Sequence, residues 1–94
     1  MILEYIKQFP VGYSMAVYND KKYGVTRTDF NHGKSFKLFA KELGGNDFIS
    51  LNYYMTQSGD RLKPCEMPEQ KVIHFLKYVE ITSNKKDNKA YGKL

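Results

Sequence analysis

Side chains with obvious chemistry are few in this sequence, and their spacing argues against catalysis. His32 sits in the turn-like run NHG and His74 in IHF, with no second histidine four positions away and no carboxylate set beside either. Neither therefore has the spacing of a helical zinc site. His32 is expected as a turn residue, His74 as a packing or surface residue. Cys65 is the single cysteine, which excludes an intrachain disulfide. The adjoining Glu66 disfavours the thiolate that reactivity needs, so the thiol is expected to be structural. Glu66 and Glu69 lie three apart across Pro68, but nothing nearby would separate their pKa values as an acid and base pair requires. The run GKSFK offers Lys34 and free amides at an expected helix start, an arrangement that can hold a phosphate. In TDFNHGKS, however, Thr28 stands where a phosphate-binding loop has its first glycine. These patterns predict no enzymatic activity, no catalytic residue, no cofactor and no metal.

Aromatic side chains offer more. Eight tyrosines and six phenylalanines exceed what the apolar stripes of a few short helices require. Tyr13, Tyr18, Tyr23, Tyr53 and Tyr54 fall in segments of strand-like alternation, so some of them must point away from a helical layer. Tyrosine buries a large apolar area and keeps a hydroxyl for a partner, which suits an interface.

The elements that would position these residues can be read in chain order. Residues 2–9 place Ile2, Tyr5, Ile6 and Phe9 at helical spacing, and Pro10 ends the helix. From Gly12 to Thr28 the period is two: Tyr13, Met15 and Val17 oppose Ser14, Ala16 and Tyr18, then NDKK turns the chain into YGVTRT. Residues 29–33 form a break. The run FKLFAKEL at 36–43 fits either period, since Phe36, Leu38 and Ala40 alternate while Phe36, Phe39, Ala40 and Leu43 recur helically. Lys37, Lys41 and Glu42 lie off the second stripe and Gly44 with Gly45 can end a helix, so a helix is expected. Residues 48–55 and 61–67 read as a second hairpin around TQSGD, with Pro64 favouring a sheet edge. Pro68 and Glu69 then start a helix striped by Val72, Phe75, Leu76 and Val79.

Three helices would share one four-position stripe at similar separations, which suggests an internal repeat of two degenerate αββ units and a closing helix. The expected fold is α+β, αββαββα, with a four-stranded, mostly antiparallel sheet covered on one face by short helices. The expected domain is residues 1–82, followed by a flexible lysine-rich tail at 83–94. Were 36–43 a strand, the sheet would have five strands and one C-terminal helix. In that arrangement NYYMTQSGDRLKP with the following helix locally resembles the PC4-like single-stranded-DNA-binding family, over about a third of the chain. That family's glycine- and lysine-rich segment leading into a further strand has no counterpart here, where Cys65, Glu66, Met67 and Pro68 lead straight into helix. The resemblance is not carried into the expected function.

Size and charge bound the rest. A chain of 94 residues makes one small domain that buries only about 60 to 65 per cent of its extended surface. No apolar run approaches the roughly 20 residues a bilayer span needs, and the first residues lack the apolar core of a signal peptide, so a cytoplasmic location without membrane contact is expected. The net charge of +5 concentrates in residues 82–94, where Lys85, Lys86, Lys89 and Lys93 face only Asp87. Elsewhere basic and acidic residues are nearly balanced along the chain.

The expected function is a small binding or regulatory module. A protein partner or a homodimer is favoured, docked on an aromatic sheet face or edge through Tyr18, Tyr23, Phe48 and Tyr54. The alternative is single-stranded or duplex nucleic acid held by sheet aromatics with Arg27, Arg61, Lys63 and the tail lysines Lys85 and Lys86. The deciding quantity is charge density, because a nucleic-acid site should gather several cations on one face.

Overall fold

The computed structural model describes residues 2–82. Its elements are helix α1 (Ile2–Lys7), strands β1 (Gly12–Tyr18), β2 (Lys21–Phe30), β3 (Ser35–Glu42), β4 (Phe48–Thr56) and β5 (Gly59–Pro64), helix α2 (Glu69–Tyr78) and strand β6 (Glu80–Ile81). All strands join one antiparallel sheet in the order β5, β4, β3, β2, β1, β6. Strands β1 to β5 are thus a simple meander, and β6 comes back from α2 to pair with Ala16 and Val17 of β1.

Turn chemistry closes each hairpin. Asn19 and Asp20 take φ of 54° and 63°, the two positive values that a type I′ turn between twisted strands requires. Between β2 and β3, Asn31, His32 and Gly33 are all left-handed, and the Asn31 amide donates to the Ser35 hydroxyl at 2.8 Å. Ser35 therefore begins a strand, and the expected helix start with its phosphate-holding amides does not form.

Residues 36–43 are the main correction. Residues 36–42 lie in β3 at the middle of the sheet and Leu43 follows it in a turn, so the domain has six strands and two helices among the described residues rather than four and three. The expected αββ repeat loses its second helix. Burial shows why period two prevails: Phe36, Leu38 and Ala40 are at most 2% exposed, whereas Phe39 and Leu43 of the helical stripe are 37% and 42% exposed. FKLFAKEL has no β-branched residue, and its helix-favouring composition is overridden by pairing with β2 and β4 on both sides.

The register sorts side chains onto two faces. Ser14, Ala16 and Tyr18, then Tyr23, Val25 and Arg27, then Phe36, Leu38 and Ala40, and Ile49, Leu51 and Tyr53 lie under the helices. Val72, Phe75, Leu76 and Val79 of the α2 region and Ile6 and Phe9 from α1 close this core. Phe9 stacks on Phe75 with centroids 6.4 Å apart, and Gln8 Nε2 donates to the Leu76 carbonyl. Small residues in β1 leave room for the helical layer. The Ser14 hydroxyl is buried there without a hydrogen-bond partner.

Candidate functional site

Two groupings of polar side chains stand out, one on each face of the sheet. Under α2, the Tyr23 hydroxyl donates to Asp47 Oδ2 at 2.8 Å and Lys71 Nζ to Asp47 Oδ1 at 2.7 Å. Beside them the Tyr18 hydroxyl and His74 Nδ1 share a 2.5 Å bond. Burial first, and Asp47 second, pushes both phenols above their ordinary pKa. The Lys71 bond above all holds the Asp47 carboxyl below the usual range, with burial acting the other way. The phenols are thus held in their neutral form and the carboxylate is paired with a cation. The cluster ties α2 to the turn before β4. Among the described residues, no group of three or more His, Cys, Asp or Glu could hold a metal ion.

These contacts correct part of the expected site. Tyr18 and Tyr23 are 8% and 2% exposed and pack edge-on against Phe75, so they are core residues and cannot anchor a partner on the open face. Arg27 is likewise buried. Its Nη1 donates to the Phe9 carbonyl at 2.7 Å, while Nε and Nη2 clasp Asp29 at 2.9 Å each, which leaves it unavailable to phosphate. The alternation in β1 is the expected one, with Ser14, Ala16 and Tyr18 under the helices and Tyr13, Met15 and Val17, the more apolar set, pointing away from them.

The other face, which no helix covers, carries four cross-strand rows. Met15, Gly24, Lys41 and Phe48 form one. Tyr13, Thr26, Phe39 and Ser50 form the next. Thr28, Lys37, Asn52 and Lys63 follow, then Phe30, Ser35, Tyr54 and Arg61. Tyr13 is 62% exposed, Phe30 47%, Phe39 and Tyr54 37% each. Phe39 and Phe48 meet at 6.1 Å between centroids, tilted by 33°. Asn52 Nδ2 donates to Cys65 Sγ at 3.5 Å at the β5 side, so the thiol borders this face as a half-buried acceptor.

Charge is sorted with the same parity. Lys22, Lys37, Lys41, Arg61 and Lys63 are exposed on the open face. The carboxylates of strands β2 to β5 sit on the opposite parity and are occupied: Asp29 by Arg27, Glu42 by the Asp47 amide and Lys21, Asp60 by the Tyr53 hydroxyl. None of the five cations has a carboxylate partner among the described residues. Glu80, level with Val17 at the far edge, is the one acid of the described strands on this side.

Of the residues expected from sequence, the open face therefore holds Phe48, Tyr54, Arg61 and Lys63, while Lys85 and Lys86 lie outside the described residues. Tyr13, Phe39, Lys22, Lys37 and Lys41 were missed. Phe39 and its lysines were assigned to a helix, where they would have been scattered around a cylinder. Lys37 and Lys41 at spacing four, with Phe39 between, is the signal that reads correctly once the period is two. Compared with family models, curated proteins and solved structures, the chain matches none. No helix among the described residues is long and apolar enough to cross a membrane.

Proposed function

We propose that this chain is a small non-enzymatic module that binds nucleic acid on the open face of its sheet. The observation that supports this most is the sorting of charge. Cations and acids nearly balance along the described sequence, yet the register sets Lys22, Lys37, Lys41, Arg61 and Lys63 together on one face and turns the carboxylates of β2 to β5 to the other. Gathering of cations is the property that separates a polyanion site from a general protein surface.

A homodimer through the same face is disfavoured by the same charges. A two-fold interface sets a patch against its own copy, and five cations would then face five. An acidic protein segment remains the competing occupant.

The test is a salt titration of binding of the full chain to short oligonucleotides. Each phosphate neutralised contributes about 0.7 to 0.9 to the slope of log K against log salt. Engagement of all five cations gives a slope of about −3.5 to −4.5. Lys37→Glu with Lys63→Glu should abolish most binding while leaving the circular dichroism unchanged. Absence of binding at low salt, or binding indifferent to that double reversal, would sink the proposal and favour the protein partner.

A further inference from the structure

Resting on the nucleic-acid reading, the arrangement of the open face selects the form of the ligand. Rings lie among the cations, not around them: exposed Tyr13 and Phe39 and half-buried Phe48 on one side of the row holding Lys37 and Lys63, exposed Phe30 and Tyr54 on the other. A duplex would present phosphate oxygens to those rings, none of which can neutralise them and of which only the two tyrosine hydroxyls could donate to them, and its bases are already stacked inside. Unpaired bases, in contrast, have free π faces, and every base can stack on an aromatic side chain.

The row between the rings is polar throughout. Thr28, Lys37, Asn52 and Lys63 stand side by side on four neighbouring strands, spanning about 14 Å at the ordinary strand spacing. Successive same-face rows are about 6.6 Å apart along a strand, so a base attached to a backbone on this row reaches the next row without crossing a gap. Both lysines are exposed, and no carboxylate interrupts the row. Phe39 and Phe48 are already mutually tilted at 6.1 Å, and Tyr13 completes the ledge over β2.

We propose that the open face is a single-strand site in which the phosphates track the row of Thr28, Lys37, Asn52 and Lys63, across the strands, and the bases stack on Tyr13 and Phe39 of the next row, with Phe48 backing Phe39. The ligand is thus a single-stranded nucleic acid read by its bases' faces and its backbone charge, with little dependence on sequence.

The experiment uses fluorescence anisotropy with the full chain and three probes of equal phosphate number: an oligothymidylate of about 12 nucleotides, a hairpin duplex, and an abasic oligonucleotide. The oligothymidylate should bind at least about tenfold more tightly than either of the others, since stacking of even one base is worth about that factor. Phe39→Ala should lose about tenfold for the oligothymidylate, leave the abasic probe unchanged, and keep the salt slope. Lys37→Gln should instead reduce the slope by about 0.7 for the two single strands and about 0.9 for the duplex. The abasic comparison is made on the unaltered protein, so a variant that failed to fold would not remove the test. Equal binding of oligothymidylate and abasic probe, or of single strand and duplex, overturns the single-strand inference while the broader reading stands. Binding of none of the three overturns both.

Discussion

Tyr13 lies across Gly24, its diagonal neighbour on the next strand, with the phenol in the space that a Cβ at Gly24 would occupy. Gly24 is buried by that ring although it faces away from the helices. The absence of a side chain at Gly24 is what lets the phenol of Tyr13 lie over β2 on the face that carries Phe39 and Phe48.

Gly24→Ala should therefore lift Tyr13 from its ledge without unfolding the sheet. An alanine in a strand gains about 0.5 to 1 kcal/mol over glycine in backbone entropy, and the clash is with the far end of a side chain that can rotate, so the net stability change should stay within about 1 kcal/mol. The α-proton resonances of residue 24 should lose their ring-current shift, as they should in Tyr13→Leu. A shift that survives Gly24→Ala would show that the ring and the alanine fit together after all.

Arg27 and Asp29 carry a second prediction. The guanidinium is 10% exposed, and its partners are one carboxylate and the Phe9 carbonyl at the end of α1. Removing the acid by Asp29→Ala leaves a cation in the core with one hydrogen bond. Because the Asp29 side chain is itself 27% exposed, we expect a loss of about 2 kcal/mol, below the 3 to 5 typical of a fully buried pair. Arg27→Met, which removes the charge and keeps much of the volume over Phe36, should cost less than Asp29→Ala. Urea denaturation of the two variants orders them, and the reverse order would contradict this account.

How much of this was legible beforehand depends on which interactions are local. The helices at 2–9 and from Glu69, the hairpin at Asn19 and Asp20, and the edge position of Pro64 follow from spacing, turn residues and a missing donor. Residues 36–43 do not, because an isolated FKLFAKEL has both periods and only its two neighbouring strands choose between them. Which face of β1 turns to the helices is likewise set by its partners. Tyr13, Met15 and Val17 form the more apolar set, yet it is Ser14, Ala16 and Tyr18 that lie under the helices. The clustering of cations followed from these long-range pairings, so no count along the chain revealed it.

Asp47 makes stability depend on acid. Its carboxyl is held below the usual range by the Lys71 bond first, with the Tyr23 bond adding and burial opposing. A depressed folded-state pKa means a contribution fully present above the ordinary carboxylate value, about 4, and lost as pH falls through the folded value. Both partners are more than a third exposed, so solvent screens the pair and the effect is modest. Asp47→Asn should lower stability at neutral pH by about 1 kcal/mol and flatten the decline below about pH 4. Thermal melts of the two proteins between neutrality and acid test this; parallel curves would rule the Asp47 contribution out.

At the alkaline end the governing residue is Tyr53. It is 5% exposed and donates to Asp60 at 2.5 Å. Burial, and then the bond to that carboxylate, push its phenol up to about 12. Since the folded value lies above the ordinary one, its contribution is complete below about pH 10 and disappears as pH rises through about 12. Tyr23, also raised by burial and by its bond to Asp47, acts in the same direction. Stability should thus fall between about pH 10 and 12, and ultraviolet titration should show tyrosinate appearing late for these residues. Tyr53→Phe should cost about 1 kcal/mol at neutral pH by orphaning Asp60 from its donor, and should make the alkaline decline shallower. If that variant declined as steeply as the parent protein, the phenol would already be ionising freely in the folded state, and the bond to Asp60 would contribute nothing to holding β4 against β5.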